Sequence, residues 1–414
     1  MSVEKTLHET WIKRLEHYLQ TERYSLSATE KRMAAARQFL IYLRKRQGGL
    51  EVVTPAHVQR YLEHKLRIYR KRHGRLPRDS SGWRWGYTGG IHMLLHLAQG
   101  KWPPVPEPSS PQEQIRWELC DAYAQWLSET RGLVPETIQN RRTEALRFLD
   151  SLGDGAHLSH LTVANLDNYV KSRAPQLQRV SRQHLVTCLR SFLRYLHAQG
   201  RITQDLSCAV VNPSRYTFES IPSALRAEHV EAVLKATRRD RTVKGVRDYA
   251  ILMLLSTYGL RAGEVTGLRL DDVDWRGDRL HIRHSKTGCE SFLPLLSPVG
   301  EAILKYLQQA RPATKAREIF IRVRSPFRPL RGGSSLSHLI EHRLQRAGIR
   351  LDRKRGAHAF RHARAVSLLH AAIPLKSIGD ILGHRSTDST HVYLKLATSE
   401  LRAVGLEIPV EVSR

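Results

Sequence analysis

Cysteine is scarce: Cys120, Cys188, Cys208 and Cys289 are the only four in 414 residues, and they stand far apart. None forms a CxxC pair or a Cys/His ligand spacing, which excludes a zinc ribbon and a disulfide framework. This usage fits a reducing cytoplasm, and Cys188, inside an apolar helical stretch, is expected as a buried thiol. Long apolar runs are missing too. Nothing approaches the roughly 18 consecutive apolar residues of a membrane-spanning helix. The first residues, MSVEKTLHETWIKRLEHYL, carry charges where a secretory signal has an apolar stretch. Acidic residues are few, 39 against 67 basic ones, and form no cluster spaced to hold a metal ion. No cofactor is expected.

What is abundant is positive charge. The formal net charge is +28, with 21 histidines besides. Such a charge repels itself in a compact fold unless an anion neutralises it. A nucleic acid, an anionic membrane or an acidic protein would serve. The basic residues are spread along the whole chain and not gathered on one lipid-facing helix, so nucleic acid is favoured over membrane.

The length allows two or three domains with their own cores. Two proline-bearing stretches, 101–111 and 212–222, divide it. The expected domains are 1–100, 112–211 and 223–414. The first two read as a diverged duplication. LEVVTPAHVQRYL from Leu50 matches LSHLTVANLDNYV from Leu158, pairing Thr54 with Thr162, Ala56 with Ala164 and Tyr61 with Tyr169. The same offset pairs Thr29 with Thr137. Ala98-Gln99-Gly100 matches Ala198-Gln199-Gly200, each closing an apolar helix. Thr54 and Thr162 are good N-caps, so each unit reads as about four helices. In the second unit Leu185, Leu189, Phe192, Leu193 and Leu196 make a helical apolar stripe. In the first, the basic stretches 30–46 and 66–78 read as helices able to lie against phosphates; Arg67, Arg70, Lys71 and Arg72 crowd the second. Trp83, Trp85 and Tyr87, in SSGWRWGYTGG, are expected to pack in the core, with stacking on bases as the alternative.

The last domain carries the chemistry. Val246, Tyr249, Ala250, Met253 and Leu254 form a buried helical stripe, ended by Gly259. Arg261 follows in GLRAGE, with Glu264 close behind. Leu280 and Ile282 alternate with His281 and Arg283, predicting a half-buried strand. Ser285-Lys286-Thr287-Gly288 is its turn, with Phe292-Leu293-Pro294-Leu295 returning. His358-Ala-Phe-Arg361-His362 opens another helix, whose spacing brings 358, 361 and 362 to one face. Ala365, Leu368 and Leu369 continue its stripe until Pro374. Ile378–Leu382 is a short helix capped at Gly383; His384 follows, and Ser386–Ser389 leads into a helix bearing Tyr393. Two cations and two imidazoles around a phenol suggest a nucleophile that attacks a phosphate.

This ordered set resembles the tyrosine recombinase (phage integrase) family. The resemblance covers about residues 112–400 and, through the internal repeat, the first hundred. It implies a mainly α fold with a small β-sheet in the catalytic domain, preceded by helical DNA-binding bundles. It implies site-specific DNA recombination through a 3′-phosphotyrosine intermediate at Tyr393. Arg261, Arg361 and His384 would then hold the scissile phosphate, Lys286 would protonate the leaving 5′ oxygen, and Glu264 would support Arg261. His358 is the candidate base, and His362 is expected to be structural. The partner would be double-stranded DNA, in a homotetramer or with other recombinases. The apolar tail (Leu396, Leu401, Val404, Leu406) would pack on a neighbour or fold back. Integration or transposition of a mobile element is the expected role. A cleavage-deficient accessory protein and a type IB topoisomerase are the alternatives.

Overall fold

The computed structural model describes residues 2–46, 49–104, 106–153, 157–212, 224–284, 288–350, 356–383 and 390, with side chains from residue 8 onward. The fold is mainly helical with one three-stranded sheet, as expected. Four helices come first: α1 (Ser2–Thr21), α2 (Leu26–Arg44), α3 (Pro55–His73) and α4 (Ser80–Gln99). Four more follow: α5 (Pro111–Glu129), α6 (Pro135–Leu152), α7 (Val163–Arg173) and α8 (Arg179–Ala198). The rest comprises α9 (Ala227–Arg238), α10 (Val243–Tyr258) and α11 (Ala262–Thr266), then β1 (Val273–Asp274), β2 (Arg279–His284) and β3 (Cys289–Pro294). It ends with α12 (Ser297–Gln309), α13 (Gly332–Arg346), α14 (Ala357–His370) and α15 (Leu375–Leu382). Among the described residues no helix is long and apolar enough to cross a membrane.

Each segment has its own apolar core. Leu15, Phe39, Tyr61 and Leu94 centre the first. Tyr123, Phe148, Leu189 and Phe192 centre the second. Ile251, Leu255, Ile303 and Phe320 centre the third. The chain divides into two compact units, Met1–Pro103 with Phe218–Arg414, and Pro104–Thr217. Within the former, the turn after α1 meets loops beyond α12. Arg23 Nη1 donates to the Ala313 carbonyl at 3.3 Å, and Ser325 Oγ donates to the Arg23 carbonyl.

The two bundles repeat one design. The Thr54 backbone N–H donates to His57 Nδ1 at 3.1 Å, and that of Thr162 donates to Asn165 Oδ1 at 3.0 Å. In both, the residue three after the cap reaches back to it. The buried tyrosines agree as well. Tyr61 meets Phe39 edge-on at 5.1 Å, and Tyr169 meets Phe148 edge-on at 5.2 Å.

Three expectations need correction. The basic stretch 66–78 is not one helix, because α3 ends at His73, where Gly74 takes φ 66°. Trp85 is not a core residue, being 74% exposed, whereas Trp83 and Tyr87 are half-buried against each other at 5.0 Å. The expected α10 stripe is off the buried face: Val246, Tyr249 and Met253 are only partly buried, while Arg247, Asp248, Ile251, Leu252 and Leu255 are buried with Ala250 and Leu254. Packing surrounds α10, and its buried charges are paired. Asp248 accepts from Arg247 Nη2 and from Arg343 Nε, each at 2.7 Å.

One glycine of α4 serves packing. A Cβ on Gly90 would stand 2.2 Å from the Arg32 carbonyl oxygen, so α2 and α4 approach backbone to backbone. Gly90→Ala is expected to force them apart and destabilise the first bundle by about 1–3 kcal/mol. Urea denaturation checks this; an unchanged midpoint would mean the helices separate freely.

Candidate active site

Two helix ends and a strand end converge. Gly259 caps α10 with φ 66°, its N–H bonding the Leu255 carbonyl. The preceding Tyr258 anchors that end to the sheet, its hydroxyl donating to the Pro294 carbonyl at 2.7 Å and accepting from the Leu296 N–H at 3.1 Å. Gly383 caps α15 with φ 64°. On the sheet, strand order is β1-β2-β3, antiparallel, with Ile282 opposite Ser291 and His284 opposite Cys289.

Arg261 N-caps the short α11. Glu264, three residues on, accepts from the Arg261 backbone N–H at Oε2 and from Arg261 Nη1 at Oε1, both at 2.7 Å. The other guanidinium arm, Nη2, donates to the Gly383 carbonyl at 3.0 Å. Arg361, in the second turn of α14, is 3% exposed. Its Nη1 donates to the Gly259 carbonyl at 2.9 Å and its Nη2 to the Leu382 carbonyl. Two arginines from distant segments thus grip the adjacent carbonyls of Leu382 and Gly383. The planar fork suits this, because each guanidinium spans two acceptors while keeping further N–H groups.

Glu264 is 4% exposed. Burial alone would push its carboxyl up. Hydrogen bonds from His284 and from the Arg261 backbone and side chain, with the Arg261 charge, outweigh burial and hold it below the ordinary carboxylate value. His358 lies exposed in the first turn of α14, its ring 6.2 Å from that of His362. Burial, with His358 and Arg361 adding to it, pushes His362 down to about 4. His362 is therefore neutral at working pH and adds no charge.

Of the residues singled out by sequence, Arg261, Glu264 and Arg361 are brought together, and His358 opens the helix that carries Arg361. Lys286, His384 and Tyr393 lie outside the described residues, as does the tail from Leu396. Sequence reasoning missed His284. It is 3% exposed, its Nδ1 lies 2.7 Å from Glu264 Oε1, and its Nε2 lies 2.9 Å from Ser291 Oγ. The signal was present, since Leu280, Ile282 and His284 continue one buried face at period two.

Known proteins resemble this chain in sequence and fold. The family model described as "Phage integrase family" matches residues 223–400. The putative integrase/recombinase y4rA of Sinorhizobium fredii (strain NBRC 101917 / NGR234) is 34% identical over 94% of this chain and 91% of its own length. The putative integrase/recombinase y4gC of the same strain is 53% identical over 46% of this chain and 97% of its own. Among solved structures, a lambda integrase tetramer bound to a Holliday junction aligns over 77% of this chain and 88% of its own, at 19% identity and a TM-score of 0.54.

Proposed function

Since the chain belongs to the phage integrase family, as a tyrosine-type site-specific recombinase, we propose that it cleaves and rejoins DNA through a 3′-phosphotyrosine bond to Tyr393. The observation that carries this reading is the convergence of Arg261 and Arg361 on the Leu382 and Gly383 carbonyls, one residue before His384.

A tyrosyl hydroxyl has an ordinary pKa near 10, so it is a weak nucleophile at neutral pH. In the proposed step its oxygen bonds to phosphorus while His358 takes its proton. The P–O5′ bond breaks, and the departing 5′ oxygen takes a proton from Lys286. Arg261, Arg361 and His384 balance the charge that develops on the nonbridging oxygens. Glu264 keeps Arg261 aimed. The product conserves the phosphodiester's energy in the protein–DNA bond. A 5′-hydroxyl from another strand then attacks phosphorus and releases the tyrosine, so neither nucleotide nor metal is consumed. The site residues Arg261, Lys286, His358, Arg361, His384 and Tyr393 together form the proposed catalytic set.

We propose a homotetramer on double-stranded DNA, with integration or transposition of a mobile element as its role. The tetrameric lambda integrase neighbour and the relatives named integrase/recombinase support this. The test is a nicked duplex carrying the ends of the encoding element, incubated in EDTA. An SDS-resistant adduct is expected. Its absence with tight binding intact would remove the cleavage reading.

The first bundle is proposed as an added DNA clamp. Between α2 and α4 runs a groove of about 820 Å³, lined by Lys31, Arg32 and Gln38 on one side and by Trp85, Gly86 and Gly89 on the other. An exposed indole beside two cations can pack on a sugar or base whose phosphates those cations hold. Trp85→Ala is expected to weaken site binding by about 1–3 kcal/mol with an unchanged salt slope. Lys31→Gln should lower the slope by about 1. Fluorescence anisotropy across a salt series measures both; unaltered affinity in both variants would remove this bundle from the interface.

A further inference from the structure

The Glu264 Oε1 atom sits between two donors. Arg261 Nη1 donates to it at 2.7 Å, and His284 Nδ1 lies 2.7 Å away on the other side. A carboxylate only accepts, so Nδ1 carries the proton in this contact. In the neutral ring Nε2 is then an acceptor, and Ser291 Oγ, 2.9 Å away, is placed to donate to it. Each polar atom of the His284 ring has a partner.

The ring is also wedged. A Cβ on Gly383 would lie 2.6–2.8 Å from three of its ring atoms, so the ring packs directly on the α15 cap. His284 therefore touches, in one buried contact, the carboxylate that holds Arg261 and the glycine whose carbonyl receives Arg261 Nη2. An aliphatic side chain would fill this strand position equally well for a core. The imidazole instead spends both nitrogens on polar partners.

We infer that His284 is a positioning residue for the reaction: through Glu264 it fixes the guanidinium of Arg261 against the scissile phosphate. It touches no reacting atom. The inference rests on the recombinase reading and deepens it. Binding by the exposed basic surface does not pass through this contact, so His284 governs the cleavage rate and leaves affinity alone.

The test measures single-turnover cleavage of the nicked site duplex, beside its dissociation constant, in the full-length chain. His284→Leu keeps the volume and removes the donor to Glu264. Its cleavage should fall roughly tenfold to hundredfold, less than for loss of a phosphate-binding donor itself. Affinity should stay within about twofold, since no phosphate contact is removed. In His284→Asn the side-chain amide stands near the place of Nδ1, so the rate should largely return. A duplex with sulfur at the scissile 5′ bridging position separates the routes. A thiolate leaves without a proton, so a defect acting through Lys286 would vanish on it, whereas one acting through Arg261 persists.

The proposal is overturned if folded His284→Leu cleaves at the wild-type rate, if asparagine does no better than leucine, or if sulfur abolishes the defect. Should leucine prevent folding, His284→Asn is compared with His284→Gln, whose amide lies toward Ser291. Faster cleavage by the asparagine protein supports the assignment, and equal rates overturn it. Wild type giving no adduct on either duplex would be a failure of the recombinase reading itself.

Discussion

A Tyr393→Phe protein is expected to bind its DNA site like wild type and to form no covalent adduct. The change removes one oxygen. The phosphate-holding groups of the proposed set, Arg261, Arg361 and His384, remain, as do Lys286 and His358. Affinity built from such contacts is therefore kept. The covalent step has no substitute, because the hydroxyl is the atom that bonds to phosphorus. Denaturing gels after incubation with nicked duplex, beside anisotropy for binding, separate the two quantities. An adduct from the phenylalanine protein would mean that another side chain is the nucleophile. A loss of binding in step with the adduct would give the phenol a place in recognition instead.

Arg361→Lys is expected to damage both chemistry and fold. At an exposed site the exchange keeps the charge and changes little. Here the side chain is 3% exposed, and its two arms reach the Gly259 and Leu382 carbonyls. An ammonium is a point donor and does not span both. One helix end then loses its partner, at roughly 1–3 kcal/mol for a buried acceptor left unmet. The rate should fall by about 10²–10³, as when one oriented donor is removed from a developing anion. Thermal unfolding and single-turnover cleavage give the two effects independently. Full activity in the lysine protein would show that charge alone, without the fork, suffices at this position.

Much of this was legible because it is local. Gly259 and Gly383 announce helix ends, and the structure gives both a left-handed backbone. GLRAGE put Arg261 at a helix start with Glu264 three residues on, the spacing that lets the carboxylate turn back on it. The alternation around Leu280 gave the strand, but its reading stopped one residue short. The role of His284 depends on Glu264, twenty residues earlier in the chain, and on a glycine a hundred residues later. Neither contact leaves a trace in spacing. Trp85 was ambiguous for a similar reason: an aromatic in a glycine-rich helix faces core or solvent according to where the neighbouring helix lies. The close approach at Gly90 decides that, and only the backbone shows it.

Arg361 has one further consequence. It donates to the terminal carbonyls of α10 and α15, which lie at the negative ends of two helix dipoles. Oriented dipoles thus help to solvate the cation. An aspartate there would neutralise it more fully, but an arriving phosphate would have to dismantle that ion pair. Carbonyls carry no net charge, so these two contacts hold the buried guanidinium without cancelling its attraction for an incoming anion. The protein holds its own interior solvent around the charge, already turned to the orientation that the proposed reaction needs.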